Sequence, residues 1–130
     1  MTILRAAISY WASIFALGFV LGTVRTLWGA TELGETTFIL IEIPLLLTAS
    51  WFVASWLVQR YDIEGLAQAA AIGAFAFALL MIAELALATG FNGQDPRDWF
   101  AGLWQTPHIY GTLAQLVFGL IPVLAFSTRN

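Results

Sequence analysis

Residues 36–58 read TTFILIEIPLLLTASWFVASWLV, and this stretch decides the fold. It is apolar from end to end and carries one charge, Glu42. Coiled as a helix it is long enough to cross a hydrocarbon core, which takes roughly 20 residues. Three other stretches share its character. Residues 6–24 run uncharged between Arg5 and Arg25, residues 65–91 hold the single charge Glu84, and residues 109–127 hold none. None alternates polar and apolar side chains as the strands of a membrane barrel do. The chain is therefore expected to be an all-α integral membrane protein. Its expected form is an antiparallel four-transmembrane-helix bundle, one transmembrane domain over 1–130 with spans near 6–28, 36–58, 65–90 and 108–127.

The rest of the composition agrees. Of 130 residues, 60% are hydrophobic and 10% charged, and the mean hydropathy is +0.83. A water-soluble domain carries roughly 25% charged residues, far more than are available here to coat a wet surface. The net charge of −3 and the scatter of Arg5, Arg25, Arg60, Arg97 and Arg129 leave no basic patch for nucleic acid. With no cysteine, thiolate chemistry and disulfides are excluded. The first apolar run is longer than the core of a signal peptide and no small-residue cleavage site follows it, so it is read as an uncleaved span.

Four spans bring both termini to one side. That side would hold Arg5, Arg60 and Arg129 against Arg25 and Arg97 opposite, and the excess of arginine assigns both termini to the cytoplasm. The segment 29–35, GATELGE, is a short hairpin, and 59–64 is a second tight turn. The longer connection, 92–108, contains Asp95-Pro96, a helix start with Asp95 as cap and Pro96 in the first turn. A short periplasmic interfacial helix is expected over 96–105, with Trp99, Phe100, Leu103 and Trp104 on one apolar face. Trp28, Trp99 and Trp104 are expected at the membrane interface.

The polar residues within the spans carry the functional content. A charge at a span's centre costs roughly 2.5–3.5 kcal/mol on insertion scales, so such residues face the bundle interior. At about 1.5 Å per residue, Glu42 lies about 9 Å below the start of its helix, Glu84 about 10 Å below its exit and Gln115 about 10 Å inside the fourth span. Arg25 and His108 stand near the same level. All five fall in one half of the bilayer, and the other half of every span is uncharged. Pro44 removes an amide from the second span and is expected to bend it beside Glu42. Gly18 and Gly22, aligned with Arg25 and Gly29, and Gly111 and Gly119, aligned with His108 and Gln115, are expected to let helices approach closely. Ala70, Ala74 and Ala78 are expected to form the interior stripe of the third span.

Several chemistries fit this set. Arg25 with Glu42 or Glu84 makes a structural ion pair. The same residues, with His108 and Gln115, make the wall of a pocket for a cation, a proton or a small polar ligand. Metal ligation by Glu42, Glu84 and His108 lacks the local spacing of metal motifs. A bis-histidine haem would need a second subunit, since His108 is the single histidine. No catalytic residue, metal site or cofactor is assigned, because the serines have no histidine at comparable depth. The expected partners are membrane lipids, with a homo-oligomer or a larger membrane complex as the wider assembly. In the larger complex the chain would be an accessory or assembly subunit.

The succession Gly22-x-x-Arg25, Gly34-Glu35, Glu42-x-Pro44 and then Glu84 resembles a group of small, uncharacterised four-span bacterial inner-membrane proteins. The likeness covers most of the chain and is clearest in the first two helices, while 97–111 departs from it. It implies location in a bacterial inner membrane and no activity.

Overall fold

In apolar surroundings a helix can pair its own backbone groups within one segment, and the apolar stretches are all helical. A computed structural model describes residues 2–91, 93–105 and 108–128, except for the side chains of Ala30, Glu35 and His108. In chain order the elements are α1 (Thr2–Val24), a π-helical turn (Arg25–Gly29), α2 (Ala30–Leu33), α3 (Glu35–Arg60), α4 (Leu66–Gly90), α5 (Pro96–Gly102) and α6 (His108–Ser127). No strand occurs among the described residues. Thr2–Gly29, Thr36–Arg60, Leu66–Gly90 and Ile109–Ser127 are long and apolar enough to cross a membrane, with mean hydropathies from 1.7 to 2.2.

Local chemistry sets the joints. A side chain at Gly29 would collide with the ring of Phe38, whose Cδ2 lies 2.1 Å from where a Cβ would be. Gly34 then takes φ +87° immediately before α3, in the left-handed region that only glycine enters cheaply. At the other end of α3 the amide of Ile63 bonds the Val58 carbonyl at 3.1 Å and that of Asp62 bonds the Gln59 carbonyl. Asp62 sits at φ 50°, and Ile63 and Val58 are both buried. This is the Schellman closure with its apolar clasp.

α1 packs on α3 and α4, and α6 packs on the same two, so the cyclic order is α1–α3–α6–α4. The helices α3 and α4, consecutive in the chain, therefore stand across the bundle from each other. Between α1 and α3, Gly18 meets Leu46, Arg25 meets Glu42 and Gly29 meets Phe38, so residue numbers run in opposite senses. The same holds between α4 and α6, where Gly73 meets Pro122, Phe77 meets Gly119 and Glu84 meets Gln115.

One end of the bundle is tightly packed. Ala6 and Ala7 of α1, Leu57 and Val58 of α3, Ala69, Ile72 and Ala76 of α4, and Ile121 and Ala125 of α6 form its core. α4 and α6 approach closely: a Cβ on Gly73 would collide with the carbonyl oxygen of Gly119. Gly119 thus stands at a close crossing, whereas Gly18, Gly22 and Gly111 do not. A methyl at Gly18 would make ordinary contact with Leu46 at 3.8 Å, and at Gly111 it would meet nothing within 4 Å. The expected interior stripe of α4 is also displaced. Ala70, Ala74 and Ala78 are exposed, and the buried face is Ala69, Ile72, Gly73, Ala76 and Leu80. Alanine methyls are nearly indifferent between lipid and protein, so their spacing does not mark a face. The glycine and the branched residues do.

Tyr10 closes this core. It is 0% exposed and stacks on Phe118 with ring centroids 4.3 Å apart. Its hydroxyl donates to the Phe118 carbonyl at 2.6 Å. That carbonyl would ordinarily accept the amide four residues on, but residue 122 is proline and has none. Tyr10 supplies the donor that Pro122 removes. Tyr10→Phe should therefore cost about 1–3 kcal/mol, the penalty of a buried acceptor left unpaired. In a Pro122→Ala background the helix amide returns and the same substitution should cost clearly less. Unfolding in detergent of the two single variants and the pair measures this, and an equal cost in both backgrounds would remove the role assigned to the hydroxyl.

Candidate functional site

Beyond the Tyr10–Phe118 layer the four helices enclose a half-open cavity of about 680 Å³. Most of its wall is apolar, and Arg25, Glu42, Glu84 and Gln115 all line it. Four of the five polar residues singled out above thus come together from four different helical segments. The fifth, His108, begins α6, and its side chain lies outside the described residues.

Each polar residue reaches the cavity for a local reason. Arg25 opens the π-helical turn, a widened coil that re-aims the residues after it and often marks functional positions. Its Nη1 donates to Glu42 Oε1 at 2.6 Å. Glu42 is 6% exposed and projects from the buried side of α3. Glu84, on α4, accepts a hydrogen bond from the Gln115 amide of α6. The polar residues therefore form two separate pairs on one wall system rather than a single knot of three charges. Among the described residues Arg25–Glu42 is the one ion pair, and Glu84 has no cation within ion-pair distance. No group of three histidine, aspartate or glutamate side chains suited to a metal ion occurs among the described residues.

Glycines of α1 and α6 acquire a different role here. Gly18, Gly22 and Gly111 line the cavity, where the missing side chains widen it and leave room for the Arg25 guanidinium, 3.6 Å from a Cβ placed on Gly22. Pro44 contributes nothing to the wall. It lies on the exposed side of α3, which continues as one helix through it from Glu35 to Arg60.

The segment after α4 covers the cavity end. Asp95 caps α5 by accepting from the Arg97 amide at 2.8 Å, with Pro96 in the first turn, as the sequence implies. The helix stops at Gly102, short of Gln105, because the next amides bond three residues back rather than four. The apolar residues of this segment do not share a face. Trp99 and Leu103 line the cavity, while Phe100 and Trp104 are exposed, as is Trp28 in the π-helical turn. The Thr112 hydroxyl donates to the Leu103 carbonyl at 2.8 Å and pins the segment to α6.

Several wall residues escaped the sequence reading. Ser50 is fully buried, its hydroxyl bound to the Leu46 carbonyl at 2.7 Å, and it stands beside Tyr10 in the floor. Gln94 and Thr112 were equally silent, because ordinary loop and helix residues give no signal until the fold brings them to one place. Comparison with family models, with curated proteins and with solved structures returns no match.

The two-pair geometry makes a quantitative forecast. Arg25→Ala leaves a buried carboxylate alone and should destabilise by about 1–3 kcal/mol, less than a fully enclosed pair because Arg25 is partly exposed. Combined with Glu42→Gln it should show a coupling of about 0.5–3 kcal/mol. Arg25→Ala combined with Glu84→Gln should couple more weakly. Unfolding in detergent of these five variants decides it, and equal coupling in both cycles would mean one network instead of two pairs.

Proposed function

We propose that the chain is a small multi-pass protein of a bacterial inner membrane, non-enzymatic, whose cavity binds a small polar ligand or a cation. Four antiparallel spans would place the cavity in the outer half of the bilayer, with both termini in the cytoplasm and α5 at the periplasmic surface. One observation carries the binding reading. An apolar-walled cavity of about 680 Å³ holds one neutralised ion pair and one carboxylate that has no cation opposite it among the described residues. A bare carboxylate at membrane depth is costly unless a proton, a cation or a donor-rich ligand meets it. Volumes of roughly 300–1,000 Å³ are those of small-molecule sites.

A half-open space this large is filled by whatever surrounds the chain or by a ligand. Lipid chains fit its walls but not its polar pairs, and water fits the pairs but not the walls. A ligand with both characters suits it better than either. Acid–base or nucleophilic chemistry is less well supported, because the buried Ser50 hydroxyl is committed to a backbone carbonyl and Arg25 to Glu42.

Two measurements test the proposal. Native mass spectrometry from mild detergent should find a small molecule on the chain that disappears in Gly18→Phe, which fills the cavity and leaves both polar pairs intact. A chain without any such adduct, or one that keeps it in Gly18→Phe, would return the pairs to a structural role. A stoichiometric large partner in the same spectra would favour the subunit reading instead. For orientation, a cysteine introduced at Gln94 should react with an impermeant thiol reagent in intact cells. Labelling only after lysis would invert the topology.

A further inference from the structure

The cavity's unpaired hydrogen-bonding groups identify the class of its ligand. We propose that it takes an amphipathic primary amine, with the ammonium held at the Glu84 carboxylate that Gln115 positions and an apolar body along the wall. This rests on the ligand-binding reading above and deepens it.

The inference follows from which polar groups are already satisfied. Arg25 and Glu42 neutralise each other at 2.6 Å. On the opposite pair, Glu84 receives one hydrogen bond, from the Gln115 amide nitrogen to its Oε1. The amide's other end is the informative atom: Gln115 Oε1 is enclosed by protein and accepts nothing. A buried carbonyl without a donor is unusual and costs free energy. With Glu84 ionised, reversing the amide would set its oxygen against the carboxylate, acceptor facing acceptor, so the nitrogen is placed toward Glu84. The Glu84 carboxylate therefore offers the cavity an acceptor that, among the described residues, has no cation opposite it. An ammonium brings three donors and one positive charge.

The walls specify the remainder of the ligand. Phe15, Phe19, Leu46, Leu80 and Phe118 line the same cavity. A bare inorganic cation is less suited, because hard cations gather six or more oxygens. Among the described residues no three carboxylate or imidazole groups converge here. An anion would meet Glu84 with no cation among the described residues to offset it, Arg25 being engaged.

The experiment is calorimetric titration of the full chain in nanodiscs of zwitterionic lipid, with empty nanodiscs subtracted. Four probes separate the alternatives: 3-phenylpropylammonium, 3-phenylpropanol, 3-phenylpropanoate and sodium ion alone. On the unaltered chain the ammonium should bind at least about tenfold more tightly than the alcohol of the same shape, the loss expected when a charged hydrogen bond is removed. Glu84→Gln should erase that preference, and Gln115→Leu should reduce it severalfold. Equal binding of ammonium and alcohol to the unaltered chain would overturn the inference without reliance on any variant. So would an ammonium preference that survives Glu84→Gln. Binding of sodium or of the carboxylate probe in place of the ammonium would discard the amine while leaving a ligand site. Failure of all four probes would discard both.

Discussion

The Tyr10 hydroxyl, donated to the one carbonyl that Pro122 leaves without an amide, governs how the bundle is divided. An unpaired backbone carbonyl enclosed in apolar packing is costly, and a donor from another helix relieves α6 of that cost. α1 supplies it from across the bundle, and the stacked Tyr10 and Phe118 rings then form a layer. On one side of that layer small residues allow the helices to close, down to the contact of Gly73 with the Gly119 backbone. On the other side the helices stand apart, glycines on α1 and α6 add width, and the cavity opens.

That division explains why the charged residues are gathered at one end. Polar side chains can be accommodated only where they find partners, and partners require space for long side chains to meet. Arg25 and Glu42 meet at the π-helical turn; Glu84 and Gln115 meet where α4 and α6 have begun to separate. The two solutions differ in kind. The ion pair satisfies charge with charge and is complete within the chain. The carboxylate–amide pair satisfies one oxygen of Glu84 and leaves charge and an acceptor over.

Much of this was legible in the sequence, for reasons that can be given residue by residue. Apolar runs of this length identify helices long enough to cross a hydrocarbon core, because its thickness is a fixed length. The common level of Arg25, Glu42, Glu84 and Gln115 followed from helix rise and alternating direction, and all four line one cavity. The cap at Asp95 was equally local. What was not legible depended on pairing between distant segments. Nothing in the order of residues says that α3 and α4 face each other across the bundle, so the partition of four polar residues into two pairs was hidden. Glycine spacing showed which faces turn inward, but not whether a given glycine admits a backbone, as Gly119 does, or widens a cavity, as Gly18 does. Ala70, Ala74 and Ala78 misled because alanine is at home on either side of a membrane helix. Pro44 drew attention for its nearness to Glu42, although the proline with a structural partner is Pro122.

The two prolines show what decides such cases. Both remove an amide from a helix at apolar depth, so in composition and propensity they are equivalent. Pro44 lies on the exposed side of α3, at the level where the chain is already widened by the cavity. Pro122 is fully buried at the crossing of α6 with α4, where its Cδ lies 3.6 Å from a Cβ placed on Gly73. A bend or orphaned carbonyl at the first position touches little. At the second it lies inside the packed half, and a tyrosine from the opposite helix is committed to it. The feature that separates a tolerated proline from an organising one is therefore the presence of a distant donor, a Tyr, Ser or Thr at matching depth on another span. In this chain Tyr10 is that residue, and its depth, eight residues from the start of α1, sets the level at which the packed core gives way to the cavity.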